Sequence, residues 1–490
     1  MYLLRSRLFK TGWLLSALLS LSTICSAEPL TLRQAEKLAV EQNPALHAAD
    51  SNAIAMAAIP LQAGSLPDPT LSLNALNLPV DSFSTSQEAM TQLQLCISQK
   101  LPFPGKLGLK QQAATELAGA AASNRDELRL LLLRNVRIYW WNLAYLDKAL
   151  QIVENNQQLL RNLLRVSEAK YKTGTGLQQD VLLAQLELSK LLEKELTLKG
   201  ESANQRANLN ALLGRDPAKP IELPDELPEV VANDIDVAAL KHWAKENRPA
   251  LNALSHSVDS ADTMIALAEK EYYPDFTLGA AYGFRSGVNP NGQARSDMAS
   301  IMLSMTLPIY TGSKQDRAVD QRRAERAKAE FSRQDGLYRV YAEIDAAASD
   351  LRITREQLSL FRQGIIPQAR QTTASMLAGY QVNKVDFLNL VRAQLSEFNN
   401  DMQQWQIFAR VHQSEARLAA AAGSENLYSF TAQKGRTAVW TANSRPQGEG
   451  HGSPESEDRS SASVRSRHLD IVSGNAEGRR GKSFVKGNIQ

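Results

Sequence analysis

Few residues in this chain could do bond-making chemistry, and their spacing does not assemble a reaction centre. The sequence holds six His and two Cys. No His stands in a His-Glu-x-x-His pattern, in which two imidazoles one helical turn apart bind zinc. Gly105-Lys106 has neither the upstream glycine nor the following Ser or Thr of a phosphate-cradling loop. His47, His242, His256 and His412 fall singly in segments of helical periodicity and read as ordinary surface or interface residues. The sequence therefore points away from an enzyme and implies no cofactor. The remaining soft donors, Cys96, Met298 and Met302, lie in segments of alternating polarity, whose phase puts all three on the more polar side. Such donors suit soft metals like copper, with plain lining of that surface as the simpler reading.

The elements that would position these residues begin with four extended runs. In 275–284, Phe276, Leu278, Ala280, Tyr282 and Phe284 alternate with Thr277, Gly279, Ala281 and Gly283. Over 298–307, Ala299, Ile301, Leu303, Met305 and Leu307 form one face, while Met298, Ser300, Met302, Ser304 and Thr306 form the other. Leu93, Leu95, Ile97 and Leu101 alternate with Gln92, Gln94, Cys96, Ser98 and Lys100, with Gln99 interrupting the apolar side. The weakest run is 70–78, whose alternation slips near Ala75. A half-buried soluble sheet has the same pattern. Length favours a membrane, since about ten residues is the tilted bilayer crossing of a barrel strand, and polar loops such as 286–292 join the runs in pairs. Four strands cannot close a barrel, because unpaired edges in hydrocarbon strand backbone groups. Subunits must then share one barrel, in a closed ring of heterologous contacts.

The rest is helical. No proline lies between Pro104 and Pro217, and Leu128, Leu131, Leu132, Val136, Trp140, Leu143, Leu146 and Val153 keep three-and-four spacing. A helix from Lys106 to Lys170 extends roughly 100 Å, which suits the wall of a rod or tube. Gly174 and Gly176 break it, and a second helix returns from Leu177 to about Leu213 as an antiparallel hairpin. The second half repeats this plan with Pro367 as an expected kink. The halves align at an offset of about 205 to 209 residues. Asn43-Pro44-Ala45-Leu46 matches Arg248-Pro249-Ala250-Leu251, and Pro67-Asp68-Pro69 matches Tyr273-Pro274-Asp275. Leu101-Pro102-Phe103-Pro104-Gly105-Lys106 parallels 307–314, and Tyr171 with Ala184-Gln185 parallels Tyr380 with Ala393-Gln394. A length of 490 residues suggests about three compact domains. The repeat replaces that expectation with a leader at 1–27, copies at 28–216 and 236–422, a Pro-rich linker at 217–235, and a tail at 423–490.

The ends differ from the body. Arg5, Arg7 and Lys10 precede an apolar run from Trp13 to Ile24, and Cys25-Ser26-Ala27 supplies small residues for cleavage, as in a secretory signal peptide. Ile24 before Cys25 argues against a lipoprotein signal. Removal of Cys25 leaves Cys96 alone, so an intrachain disulfide is excluded. Residues 441–490 are rich in Ser and Gly and read as disordered. The formal charge of +3 resides in these ends and gives no cause to expect nucleic acid. A mean hydropathy of −0.31 excludes a polytopic helical membrane protein but not a β-barrel.

With the duplicated helix, strand, strand, helix, helix order and two motifs, the chain resembles the TolC family of outer-membrane efflux proteins over roughly residues 30–422. The motifs are Gln99 to Lys106 at the strand-to-helix corner and Tyr171-Lys172-Thr173-Gly174, followed by Asp180 to Gln185, at the hairpin tip. The corner and Leu78-Pro79-Val80-Asp81-Ser82-Phe83 resemble the branch serving heavy-metal pumps. The resemblance implies a mainly α protein with membrane β. Its long antiparallel hairpins form a periplasmic tunnel, and its four strands per chain join a homotrimer's twelve-stranded barrel in the Gram-negative outer membrane, against lipid. The implied function is a passive outer-membrane channel, passing substrate, heavy-metal cations first among the candidates, from an inner-membrane RND-type pump and a periplasmic adaptor. Export of drugs or proteins is the alternative, and an exported coiled-coil scaffold a remote one. Tyr171, Gly174, Tyr380 and Asn383 are the implied adaptor-docking tip residues. In the family, acidic residues near the inner hairpin tip constrict the closed end. The first copy keeps Asp180, whereas the second has Asn389 and Arg392 with Asp386 nearby. The gate candidates are therefore Asp180, Asp386, Asn389 and Arg392, with Asp386 and Arg392 expected to pair between protomers.

Overall fold

The chain runs through one plan twice. A computed structural model describes residues 29–229 and 235–425. The expected leader, with Cys25, and the tail beyond Glu425 lie outside them, as do residues 230–234 of the linker. The first copy comprises α1 (Leu32–Gln42), α2 (Pro44–Gly64), β1 (Thr70–Leu76), β2 (Gln92–Leu101), α3 (Lys106–Lys172) and α4 (Gln178–Leu212). The second comprises α5 (Val237–Asn247), α6 (Pro249–Lys270), β3 (Phe276–Phe284), β4 (Met298–Met305), α7 (Gln315–Leu360), a π turn (Phe361–Ile365), α8 (Ile366–Gln381) and α9 (Phe387–Ala421). No described helix is long and apolar enough to cross a membrane.

The single helix expected at the head of each copy is two. Pro44 and Pro249 occupy first-turn positions, where a missing N–H costs nothing, and the residues before them adopt extended backbone. Asn43 caps α2 by accepting from the Leu46 N–H at 3.0 Å, and its amide donates to Leu212 O at 2.9 Å. Arg248 holds the same place in the second copy, donating to Ala421 O at 2.9 Å. The end of each copy's last helix is thereby tied to its head. Gly214 (φ 64°) and Gly423 (φ 75°) follow those helix ends in the left-handed region. A Cβ on Gly214 would lie 2.2 Å from Gln42 O, and one on Gly423 2.8 Å from Arg248 Cα. The Asn-Pro-Ala-Leu and Arg-Pro-Ala-Leu anchors are these closures.

The long helix is continuous in the first copy, at 67 residues. Its counterpart divides into 46, 5 and 16 residues, the same span. Pro367 stands in the first turn of the last of these segments, directly after the π turn. The backbone widens just before the proline, with the Ile366 N–H donating to Phe361 O in a π-type bond. A ring that can neither donate nor clear the carbonyl four residues back is accommodated by that wider turn. One apolar core gathers Trp140 and Leu143 of α3, Ile344 and Leu351 of α7, and Val411 and Leu418 from the C-terminal part of α9. A second runs along the hairpins through Val153, Leu191, Leu198, Leu390 and Val391. Each fully buried Leu or Val adds roughly 1.5–3 kcal/mol.

The strands form one antiparallel sheet in the order β1-β2-β3-β4, so β2 and β3 join the two copies. β1 keeps its alternation through Ala75 and then ends, and Asn77 turns the chain at φ 53°. Gln99, the break in the apolar pattern, donates its amide to Pro67 O at 2.6 Å. At the corner, Gly105 takes φ 91° and lets Lys106 turn inward, where it is 2% exposed. Lys106 Nζ donates to Asp275 Oδ1 at 2.8 Å, Tyr273 O at 3.2 Å and Glu271 Oε2 at 3.3 Å. Phe103 stacks on Tyr273 with ring centroids 4.5 Å apart.

Candidate functional site

The two hairpin ends form the first candidate surface. In the first copy, the Thr175 and Gly176 N–H groups donate to Lys170 O at 2.9 and 3.0 Å. Gly174 sits there at φ 73°. In the second copy, Lys384 N–H donates to Gly379 O at 2.9 Å, and Asn383 takes φ 58°, which an Asn tolerates better than most residues. Lys170 clasps the two ends together. Its Nζ donates to Asn383 Oδ1 at 2.8 Å and stands 4.1 Å from the Tyr380 ring centroid. Tyr380 is buried against Phe387. Burial and then the Asp180 charge push its phenol pKa up. Tyr171 by contrast is half exposed, and Leu177, Leu182, Val382 and Leu388 of the two hairpin ends are exposed as well.

The structure thus brings together Asn383, Tyr380 and Asp180 of the residues singled out in the sequence, and leaves Tyr171 on the outer surface. Asp386 begins α9, where its carbonyl accepts from the Asn389 and Leu390 N–H groups at 3.1 and 3.2 Å. Asp386, Asn389 and Arg392 recur every third residue, so they form one exposed stripe down the helix. Asp386 and Arg392 do not pair within the chain and stand roughly 9 Å apart along the axis. The first-copy counterparts are Leu177, Asp180 and Leu183. Sequence reasoning missed Lys170, although basic residues in the last turn of α3 were visible.

The sheet is the second surface. Its register aligns Leu71, Ile97, Ala280 and Ile301 across all four strands, with Leu73, Leu95, Tyr282 and Ala299 in the next such row. This face is bare in the single chain, Ile301 being 84% and Leu73 74% exposed. The opposite face carries Ser72, Cys96, Ala281 and Ser300 in one row, with Met298 and Met302 in the rows to either side. The three soft donors therefore share the more polar face. They do not form one chelate, because β3 lies between Cys96 and the two Met, separating their strands by about 9–10 Å. Cys96 is buried, and the Met302 methyl lies against Gly279.

Helical hairpins of this length, joined to a sheet with one apolar and one polar face, match the architecture expected of an outer-membrane channel. The family described as Outer membrane efflux protein matches residues 37–215 and 240–424, one segment in each copy, and the chain belongs to that family. It is similar to the cobalt-zinc-cadmium resistance protein CzcC of Cupriavidus metallidurans, at 22% identity over 79% of this chain and 89% of that protein. Protein CyaE of Bordetella pertussis is 25% identical over 44% of this chain, a match spanning 46% of CyaE. The crystal structure of CusC shares the fold, with a TM-score of 0.67 and 17% identity over 80% of this chain and 92% of that one.

Proposed function

We propose that three copies of this chain close a twelve-stranded barrel and pass heavy-metal cations outward, fed by an inner-membrane RND-type pump through a periplasmic adaptor. The observation that carries the reading is the sheet: four strands, both outer edges unpaired, and an apolar face left bare. In hydrocarbon such edges need partners, and β4 of one copy meeting β1 of the next supplies them. The polar face then lines a wet lumen, where a conduit needs only weak contacts with its cargo. Similarity to CzcC favours metal ions among possible cargoes. The half-exposed Tyr171 and the exposed apolar side chains of the two hairpin ends offer the adaptor a docking surface. At those tips, Asp386 and Arg392 of neighbouring protomers pair to hold the end shut.

The experiment compares a deletion strain with its complemented parent on zinc, cobalt, cadmium and copper salts, and separately on dyes and detergents. Selective metal sensitivity is expected. Sensitivity to dyes and detergents alone would replace metals with organic compounds as the cargo.

A further inference from the structure

Glu116, His256 and Asp259 belong to no recognised motif, yet the packing of α3 against α6 brings their donor atoms within 4.8 Å of one another. His256 and Asp259 are three residues apart on α6 and share a face, while Glu116 projects from α3. His256 Nδ1 lies 2.8 Å from Glu116 Oε2. Ligand atoms each about 2.0–2.2 Å from one tetrahedral ion stand roughly 3.3–3.6 Å apart, so this hydrogen-bonded pair has to open by roughly half an ångström to admit a metal. The imidazole and the Glu116 side chain are 38% and 25% exposed, so an ion can enter from water. Gly119, one turn along α3 from Glu116, makes the place for the ring. A Cβ there would lie 2.8 Å from His256 Cε1, so a larger residue would push the imidazole away from Glu116.

We propose that Glu116, His256 and Asp259 form a shallow, reversible site for a borderline divalent cation of the zinc or cobalt class. One imidazole and two carboxylates suit such ions, and the lack of a thiolate disfavours copper(I). Three protein ligands leave coordination positions for water. The Arg333 guanidinium also feels the charge of Asp259, although its nearer partner is Glu330 at 2.7 Å. This competing cation keeps the binding weak and the ion exchangeable. The inference goes beyond the channel reading, because it rests on donor chemistry alone and holds whatever the channel carries.

The test is a titration of the tag-free full chain in detergent, with cobalt(II) followed by visible absorption and zinc(II) by calorimetry. A saturable site is expected that is lost in His256→Gln and weakened at least about tenfold in Asp259→Asn, by comparison with the loss of a mere outer-shell partner. Asp259→Asn leaves the His256–Glu116 hydrogen bond in place, so it separates a metal site from a purely structural pair. Asp259 is exposed, and its replacement leaves the α3–α6 packing untouched. His451 and His468 stay in every variant, so any binding there is common background. Equal binding by wild type and both variants, or no saturable uptake by the wild type, overturns the proposal. Strain sensitivity to metals tests the cargo and leaves this titration unaffected.

Discussion

Lys106 Nζ lies 2.8 Å from Asp275 Oδ1, and this pair fastens the corner of the first copy to the head of the second copy's sheet. The Lys106 side chain is 3% exposed and that of Asp275 17%. The Phe103 N–H also donates to Asp275 Oδ1 at 3.0 Å, so one carboxylate receives both the backbone and the side chain of the Leu-Pro-Phe-Pro-Gly-Lys corner.

Removing Lys106 loses the hydrogen bonds of a buried ammonium, while Asp275 keeps the Lys100 ammonium at 3.6 Å and the Phe103 N–H, so the loss is about 1.5–3 kcal/mol. Lys106→Met is therefore expected to destabilise by that order, read as a lower denaturant midpoint in circular dichroism. Lys106→Met combined with Asp275→Leu is expected to cost less than the two single variants added together. A double variant as unstable as the sum of the singles would contradict this.

The same pair sets a pH dependence. Burial pushes the Asp275 carboxyl up, but hydrogen bonds from Lys106 and the Phe103 N–H and the charges of Lys106 and Lys100 outweigh it, leaving its pKa below the ordinary value. A carboxylate with a depressed folded-state pKa stabilises fully above its unfolded value, near about 3.9, and loses that contribution as pH falls through the folded value. Wild type should thus lose stability more steeply below about pH 4 than Asp275→Asn. Parallel acid profiles for the two would refute the assignment.

Gly214 and Gly200 should respond to alanine in opposite directions. At Gly214, a positive φ and the Gln42 carbonyl 2.2 Å from a new Cβ both oppose the change, and a loss of more than about 1 kcal/mol is expected. Gly200 lies inside α4 with nothing within 4 Å of a new Cβ, so Gly200→Ala should gain about 0.5–1 kcal/mol from helix propensity. Thermal midpoints of the two variants check both signs.

At the tips, Arg392→Ala should raise the open fraction of single channels. An exposed ion pair is worth up to about 1 kcal/mol, or roughly fivefold in the open-to-closed ratio. Lys170→Ala should act in the same direction by freeing Asn383 and the Tyr380 ring. Unchanged opening in Arg392→Ala would remove that residue from the gate.

The sequence made the strands and long helices legible because each has one dominant period. The paired alternation of Phe276 to Phe284 and Met298 to Met305 survives intact in the register. What stayed hidden depends on contacts between distant segments. Gln99 looked like a flaw in the apolar face until Pro67 O appeared as its partner. His256 looked solitary because Glu116 is supplied by another helix, although Asp259 one turn along α6 was already in view. Pro367 marked the irregular place in the helix, but the π turn that accommodates it has no sequence signature of its own. Among the tip residues, Tyr171 and Tyr380 are equivalent in sequence, yet one is exposed and the other buried. A difference between pseudo-equivalent sites is invisible to an alignment of the two copies.

The pairing of β2 with β3 also has a kinetic side. The β1–β2 and β3–β4 pairs are local in sequence, but Leu101 faces Phe276 across a stretch that includes the whole of α3 and α4. Contacts of such long sequence separation require loop-closure entropy to be overcome before they are rewarded, and they form slowly. The four-stranded sheet is therefore expected to form late in folding. Two separate hairpins must wait for the rest of the chain to arrive, with their apolar faces exposed in the interval to anything that can shield them.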